Sequence, residues 1–460
     1  MQLHFYGAAQ QVTGSMYLLD VDGYRVLIDC GLDYEPDVRK EDNAKFPFDP
    51  SEIDVVLLTH AHVDHSGNLP TLFARGFEGN ILCTEPTARL ADILLTDSAN
   101  IEAKRVNKKR SKKKKTVRLY GHKQVMDVME SIVTVPFYEP FELNKGIKVE
   151  FIEAGHILGA ASIVLSVETK KGVLRIGFTG DLGKSDAKVI VPPKPMTNVD
   201  FLVMESTYGS RLHREPRTPE EVLEEQVRKT CIEQPGRLLI PAFSVGRTQA
   251  ILFTLNKLYR EGKLGNIRIF TDSPLGINSG NIHEEFPSYL NQESQDFIQS
   301  YGDLFRFPQL DVVEDREDEE EMAAHYQPCV IVSSAGMMEG GRIQRHVANN
   351  IQNPLCTILI AGYCTPGTLG AKLLEGKKVV RVGKHDRNVY ARIDVTDVFS
   401  AHPDQTGLMQ YFNSVNASSN LRKVFLSHGE PQGMETLKGK IEPLGLSVET
   451  PLKGQIFELN

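Results

Sequence analysis

The chain opens with short apolar runs separated by turn residues. Leu3-His4-Phe5-Tyr6, Ser15-Met16-Tyr17-Leu18-Leu19 and Arg25-Val26-Leu27-Ile28-Asp29 are β-prone, and Asp22-Gly23 between the last two reads as a hairpin turn. The fully apolar run Val55-Val56-Leu57-Leu58 predicts a buried strand, Asn68 to Phe73 a helix start, and residues 84 to 104 a helix. A second meander follows. Lys148-Val149-Glu150-Phe151-Ile152, Ser162-Ile163-Val164-Leu165-Ser166 and Val173 to Phe178 are its strands, and Phe201-Leu202-Val203-Met204 adds another that ends at Glu205.

From about residue 210 the pattern changes to helices alternating with apolar strands. Pro219-Glu220 begins an amphipathic helix, Thr248 to Tyr259 is another, and Arg237 to Ile240, Ile267 to Phe270, Val330 to Val332 and Thr357 to Ile360 are strands. That alternation predicts a parallel sheet. Three of its strands run into small-residue loops holding Ser244 and Arg247, Ser333, Ser334 and Gly336, and Gly362 to Gly367. Loops at the carboxyl ends of parallel strands suit ligands, and their N–H groups suit phosphate. The acidic run Asp311 to Glu321 reads as a solvated linker or helix start. The last part returns to the opening style, with His402 and His428 expected at strand ends, after Val398-Phe399-Ser400-Ala401 and Val424-Phe425-Leu426-Ser427.

A chain of 460 residues exceeds one ordinary core, so two or three domains are expected. With 41% hydrophobic and 24% charged residues it has the composition of a soluble globular protein. No apolar run reaches the roughly 20 residues that span a bilayer, and the first residues lack the features of a signal peptide. Six scattered cysteines, mostly in apolar strands, read as buried free thiols in a reducing cytosol, so a cytoplasmic protein is expected. A net charge of −8 does not attract a polyanion, yet ten of the fifteen residues from Lys104 to Arg118 are Lys or Arg. That run, which includes Lys112, Lys113 and Lys114, is either a solvated segment or a local field that steers nucleic acid without reading sequence.

Chemistry concentrates in Thr59-His60-Ala61-His62-Val63-Asp64-His65-Ser66-Gly67, directly after the run Val55 to Leu58. Imidazole and carboxylate are ligands for zinc or manganese. Alternate residues can point to one ion while Asp64 and His65 point to a neighbour. His156 and Asp181 stand at Gly-flanked strand ends of the same kind and become ligand candidates beside a cluster too small to fill two shells. Asp29, ending its strand beside Cys30-Gly31, can orient a metal-bound histidine.

The set His60, His62, Asp64, His65, His156, Asp181 and His428 resembles the metal shell of the metallo-β-lactamase superfamily. The chain further resembles its β-CASP nucleases, in particular the family of the endonuclease subunit of the cleavage and polyadenylation specificity factor and its bacterial relatives, through Phe399-Ser400-Ala401-His402, His428-Gly429-Glu430 and Ser333 to Met338. The three extra β-CASP motifs match Glu205, His402 and His428. The fold implied is an α/β one, a metallo-β-lactamase αββα sandwich with an inserted α/β β-CASP domain on a mainly parallel sheet. Residues 1–209 and 396–460 would form the sandwich and 210–395 the insertion.

The resemblance implies two zinc ions, with manganese as a substitute. One would be held by His60, His62 and His156, the other by Asp64, His65 and His428, with Asp181 bridging. A metal-bridged hydroxide would then hydrolyse single-stranded RNA to 5′-phosphate and 3′-hydroxyl ends, with His402, paired with Glu205, as general acid, the ligand Asp64 counted among the catalytic residues, and Asp29 supporting the shell. RNA is favoured over DNA because DNA-acting β-CASP nucleases such as Artemis typically carry valine where His428 stands. Endonucleolytic cutting is favoured, with 5′-exonuclease action as a companion mode. Ser244, Arg247, Ser333, Ser334, Gly336, Ser400 and the lysines at 112–114 are candidate RNA contacts, and a homodimer is compatible with the chain. The rival readings are a small-ester or thioester hydrolase of the same metal fold and a non-catalytic RNA-binding scaffold. The size of the region after 210 and the match at Glu205 and His402 argue against the first. The complete ligand set argues against the second.

Overall fold

The computed structural model describes residues 1–35, 38–111, 118–213, 215–325 and 327–460. The chain divides into two compact units. The first is Met1–Ala187, Val191–Leu212 and His402–Asn460; the second is Lys188–Ile190 and His213–Ala401.

The first unit contains two seven-stranded sheets. Each joins an antiparallel meander to parallel strands. In one sheet the strands Gln2–Phe5, Tyr17–Val21 and Tyr24–Ile28 pair antiparallel, and Val55–Leu57, Asn80–Cys83 and Ile132–Thr134 continue parallel. In the other, Phe141–Asn144, Ile147–Glu153, Ala161–Thr169 and Gly172–Phe178 pair antiparallel. Phe201–Glu205, Lys423–Ser427 and Ser447–Glu449 then run parallel. Side chains from both sheets, among them Phe5, Leu19, Ile28, Phe151, Ile163, Phe178 and Phe425, form one core. Each such side chain removed from water stabilises by about 1.5–3 kcal/mol. The other face of the second sheet packs on the helices Gln405–Ala417 and Pro431–Ile441 through Leu408, Phe412, Met434 and Leu437. Phe201–Glu205 and Lys423–Ser427 are hydrogen-bonded neighbours, with Glu205 opposite Ser427, although nearly all of the second unit lies between them in sequence.

The second unit holds a six-stranded sheet in the order Leu310–Val312, Arg268–Asp272, Cys329–Ser333, Arg237–Pro241, Thr357–Ile360, Arg392–Val395, parallel throughout. Its central strands are apolar and buried along their length, as expected where helices cover both faces.

Three local expectations change. The helix predicted over 84–104 extends through Glu85–Ser111, because the Lys/Arg run is also a good helix former. Of the two readings of Asp311 to Glu321 the helix start holds and the linker does not: the run takes in the end of strand Leu310–Val312 and opens the helix Arg316–Ala324, capped by Asp315, which accepts from the Glu317 and Asp318 amides. Val398 to His402 is a turn rather than a strand end. The Ser400 amide bonds the Asp397 carbonyl, and Asp404 caps the helix Gln405–Ala417, so the segment is taken by the helix entry. All six cysteines are free and buried. Among the described residues no helix is long and apolar enough to cross a membrane.

Candidate metal centre

The site in the first unit is made of strand ends. Asp29 follows Tyr24–Ile28, His60 and its neighbours follow Val55–Leu57, His156 follows Ile147–Glu153, Asp181 follows Gly172–Phe178, and His428 follows Lys423–Ser427. Asp29 and His428 adopt φ of +58° and +48°, a region that non-glycine residues enter at a cost and that concentrates at functional sites. The loops also close on each other tightly: a Cβ on Gly31 would fall 1.6 Å from the Asp64 carbonyl oxygen. Glycine there is a condition of the approach.

Two donor sets result. His60, His62, His156 and Asp181 form one, and Asp64, His65 and His428 the other; within each, the ligand atoms lie within 4.8 Å of one another. In the first set His62 Nδ1 is 3.2 Å from His60 Nε2 and 3.1 Å from His156 Nε2. In the second, His65 Nε2 is 3.3 Å from His428 Nε2, and Asp64 Oδ2 is 3.7 Å from the same His428 nitrogen. Asp181 faces both. Its Oδ2 lies 3.7 Å from His60 Nε2 and 3.6 Å from His156 Nε2, while its Oδ1 lies 3.3 Å from His65 Nε2 and 3.4 Å from His428 Nδ1.

These residues fit divalent cations. Burial pushes His60, His62 and His156 below the usual imidazole range, which favours the neutral form that a metal requires. Asp181 Oδ1 is buried without a well-aligned hydrogen-bond partner, and so is His156 Nδ1. A buried carboxylate left so is costly unless something positive completes it.

Surrounding groups set the orientation of the donors. Asp29, fully buried, accepts from the Thr59 amide and hydroxyl at 2.8 Å each and lies 2.7 Å from His65 Nδ1. That pairing leaves His65 Nε2 to face Asp181. Burial alone would lower His65, but Asp181 and Asp29 hold it well above its ordinary value. Thr207 Oγ1 lies 3.1 Å from His428 Nδ1, and Ser15 Oγ is 3.3 Å from His65 Nε2.

Glu205, last residue of its strand and buried, accepts from the Leu182 amide at 2.7 Å and sits 3.0 Å from His402 Nδ1. His402 Nε2 points toward the donor sets, 3.9 Å from Asp181 Oδ2. Its side chain is 18% exposed, in contrast to the nearly sealed Asp181. Burial opposes its charge, but Glu205 and then Asp181 outweigh that and push it up to about 9. The geometry is that of an imidazole held from behind by a carboxylate, on the more exposed side of the cluster.

Ser244, Arg247, Ser333, Ser334, Gly336 and Ser400 all belong to the second unit. Ser333 is buried and its hydroxyl donates to the Asp272 carbonyl, so it ties two strands instead of facing a ligand. Arg247 Nε donates to the Phe399 carbonyl at 3.3 Å. Lys112, Lys113 and Lys114 lie outside the described residues. Sequence reading missed Thr59 and Thr207. Thr59 was discoverable as the residue leading into the histidine cluster, whereas Thr207 meets a partner 221 positions away.

Comparison with known proteins agrees with this architecture. Family models match residues 10–229 (metallo-beta-lactamase superfamily), 248–373 (Beta-Casp domain) and 386–451 (Zn-dependent metallo-hydrolase RNA specificity domain). The chain is 30% identical to an RNase J-like protein of Methanocaldococcus jannaschii, over 99% of each chain. It is 31% identical to Ribonuclease TTHA0252 of Thermus thermophilus, over 96% of each. To the Integrator complex subunit 11 of Gallus gallus it is 28% identical, over 95% of this chain and 70% of that one. A solved structure of an Enterococcus faecalis protein matches with a TM-score of 0.54 at 13% identity, covering 100% of this chain and 99% of that one, and shows the shared fold. The chain is thus a metallohydrolase-fold protein with a divalent-metal site. More narrowly, it belongs to the metallo-β-lactamase superfamily, in the group that carries an inserted β-CASP domain.

Proposed function

We propose that this protein is a metal-dependent ribonuclease whose first unit holds two zinc ions and hydrolyses single-stranded RNA to 5′-phosphate and 3′-hydroxyl ends. The observation that carries the reading is Asp181, whose two oxygens face two separate nitrogen sets. His60, His62 and His156 would hold one cation and Asp64, His65 and His428 the other. Such a pair supplies Lewis acidity toward a phosphodiester and lowers the pKa of water.

The chain's own residues do the rest. Asp29 and Thr59 fix the ring of His65, and Thr207 fixes that of His428. Glu205 holds His402 in one tautomer and favours its charged form. His402 Nε2, on the partly exposed side, donates a proton to the departing 3′ oxygen. The relatives named as ribonucleases support RNA as the substrate. Residues 1–209 with 396–460 would form the catalytic part and 210–395 the substrate part.

The test uses one 5′-labelled single-stranded RNA, a matching DNA, and the same RNA with its 5′ end closed in a hairpin. The protein is metal-loaded, with Asp64→Ala as control. Internal cuts on both RNAs and none on DNA establish the endonuclease, and mononucleotide release that the hairpin abolishes makes it a 5′-exonuclease. A protein that binds two metals and cleaves none of the three overturns the ribonuclease and returns the reading to the small-ester hydrolase.

A further inference from the structure

In the second unit, three strand-end loops converge on one aromatic ring. From Leu238 to Ala242 the strand and the residue after it are buried, but Phe243 turns outward and is 36% exposed. Its backbone is pinned. The Ala242 amide bonds the Ser333 carbonyl at 3.0 Å, and the Thr248 hydroxyl donates to the Phe243 carbonyl at 2.7 Å. The Arg247 guanidinium lies over the ring at 4.9 Å. The two other loops press their backbones against this pair. A Cβ on Gly336 would come within 3.1 Å of the ring, and one on Gly362 within 2.8 Å of Arg247 Nη2.

A single exposed aromatic is ordinary on a protein surface. Tyr301 is 49% exposed and carries Arg260 at 4.9 Å. Those two, however, end the helices Gln292–Tyr301 and Arg247–Arg260. A helix that follows a parallel strand runs back, so it ends at the amino edge of the sheet. Phe243 stands at the carboxyl edge, where parallel sheets bind ligands. Its rigid ring and paired guanidinium match what single-stranded nucleic acid requires, a face for any base and a charge for its phosphate.

We propose that Phe243, braced by Arg247 and the loops at Gly336 and Gly362, is a base-stacking platform for the RNA substrate. This inference rests on the ribonuclease reading. The test measures steady-state cleavage by the full, metal-loaded chain. The substrates are one single-stranded RNA and a series of the same RNA with one abasic nucleotide at each position in turn. Phe243→Leu keeps an apolar side chain against Gly336 but has no aromatic face. It should raise KM by about 5–100-fold with kcat nearly unchanged, the size of one lost stack. Phe243→Tyr should restore KM, and Tyr301→Leu should leave it alone. One abasic position should reproduce the loss in the wild-type chain and add nothing further in Phe243→Leu. An unchanged KM in Phe243→Leu, or losses that add at every abasic position, overturns the platform. Absence of RNA cleavage by the wild-type chain overturns the ribonuclease reading itself.

Discussion

In the first unit the strand ends deliver Asp181 to four histidine nitrogens at 3.3–3.7 Å. In the second they deliver Asp272, equally buried, to Arg342 Nη1 at 2.6 Å and His346 Nε2 at 2.7 Å. Both carboxylates end a strand and sit in a polar cluster. Asp272 is closed by direct, charge-assisted hydrogen bonds, which a buried charge needs if nothing else is to join it. Asp181 has longer contacts, 3.3 Å or more, and its Oδ1 is buried without a well-aligned hydrogen-bond partner. Spacing therefore separates a carboxylate that ties a fold from one placed to bind a cation. Residue type alone does not.

That contrast can be broken by substitution. Asp181→Ala should abolish RNA cleavage and strip metal from the protein, read by metal analysis after dialysis; retention of two ions would refute the bridging role. His402→Ala should keep the metal and lose about 10²–10⁴-fold in kcat, the usual weight of a positioned acid. Metal loss in that variant would make His402 a ligand.

Asp272→Ala should do the reverse of Asp181→Ala. It leaves Arg342 and His346 facing an emptied buried site, so unfolding should become easier by about 3–5 kcal/mol in denaturant while metal content holds. A stable Asp272→Ala chain would erase the distinction drawn here. Asp29→Asn presents a donor where His65 needs an acceptor, and it should weaken metal binding by about 10–100-fold in a competition titration with a chelator. Equal affinity would reduce Asp29 to a turn residue.

The smallest effect concerns protons. Burial and the adjoining Asp303 push the Glu284 carboxyl in the second unit up from its ordinary 4.5 to about 7. Folding therefore favours its protonated form. That contribution is complete below about pH 4.5 and is lost as pH rises to about 7. The melting temperature should fall slightly across that window, and Glu284→Gln should flatten the fall; an identical profile in both proteins would refute it.

Much of this was legible along the chain because the signals are local. Period-two runs and a fully apolar strand predict the two meanders, and four ligand candidates crowded into six residues after that strand mark a metal site without help from the fold. Alternating helices and strands after about residue 210 likewise announce a parallel sheet. Where sequence reading failed, the deciding force was not local. Val398-Phe399 looks like a strand, but the cap at Asp404 and the Ser400 turn claim it. Ser333 looks available in a serine-rich loop, but the neighbouring strand takes its hydroxyl.

By itself, then, the sequence determined the kinds of donor, their placement at strand ends and the class of fold, because residue type and periodicity act over a few positions. Only the tertiary structure decided how those donors divide into two sets and that Asp181 faces both. It alone brought Glu205 against His402 and Thr207 against His428, pairs that lie 197 and 221 residues apart. Contacts between groups so remote are set by the pairing of Phe201–Glu205 with Lys423–Ser427 in one sheet and by the helix entry after His402, and no local pattern encodes them.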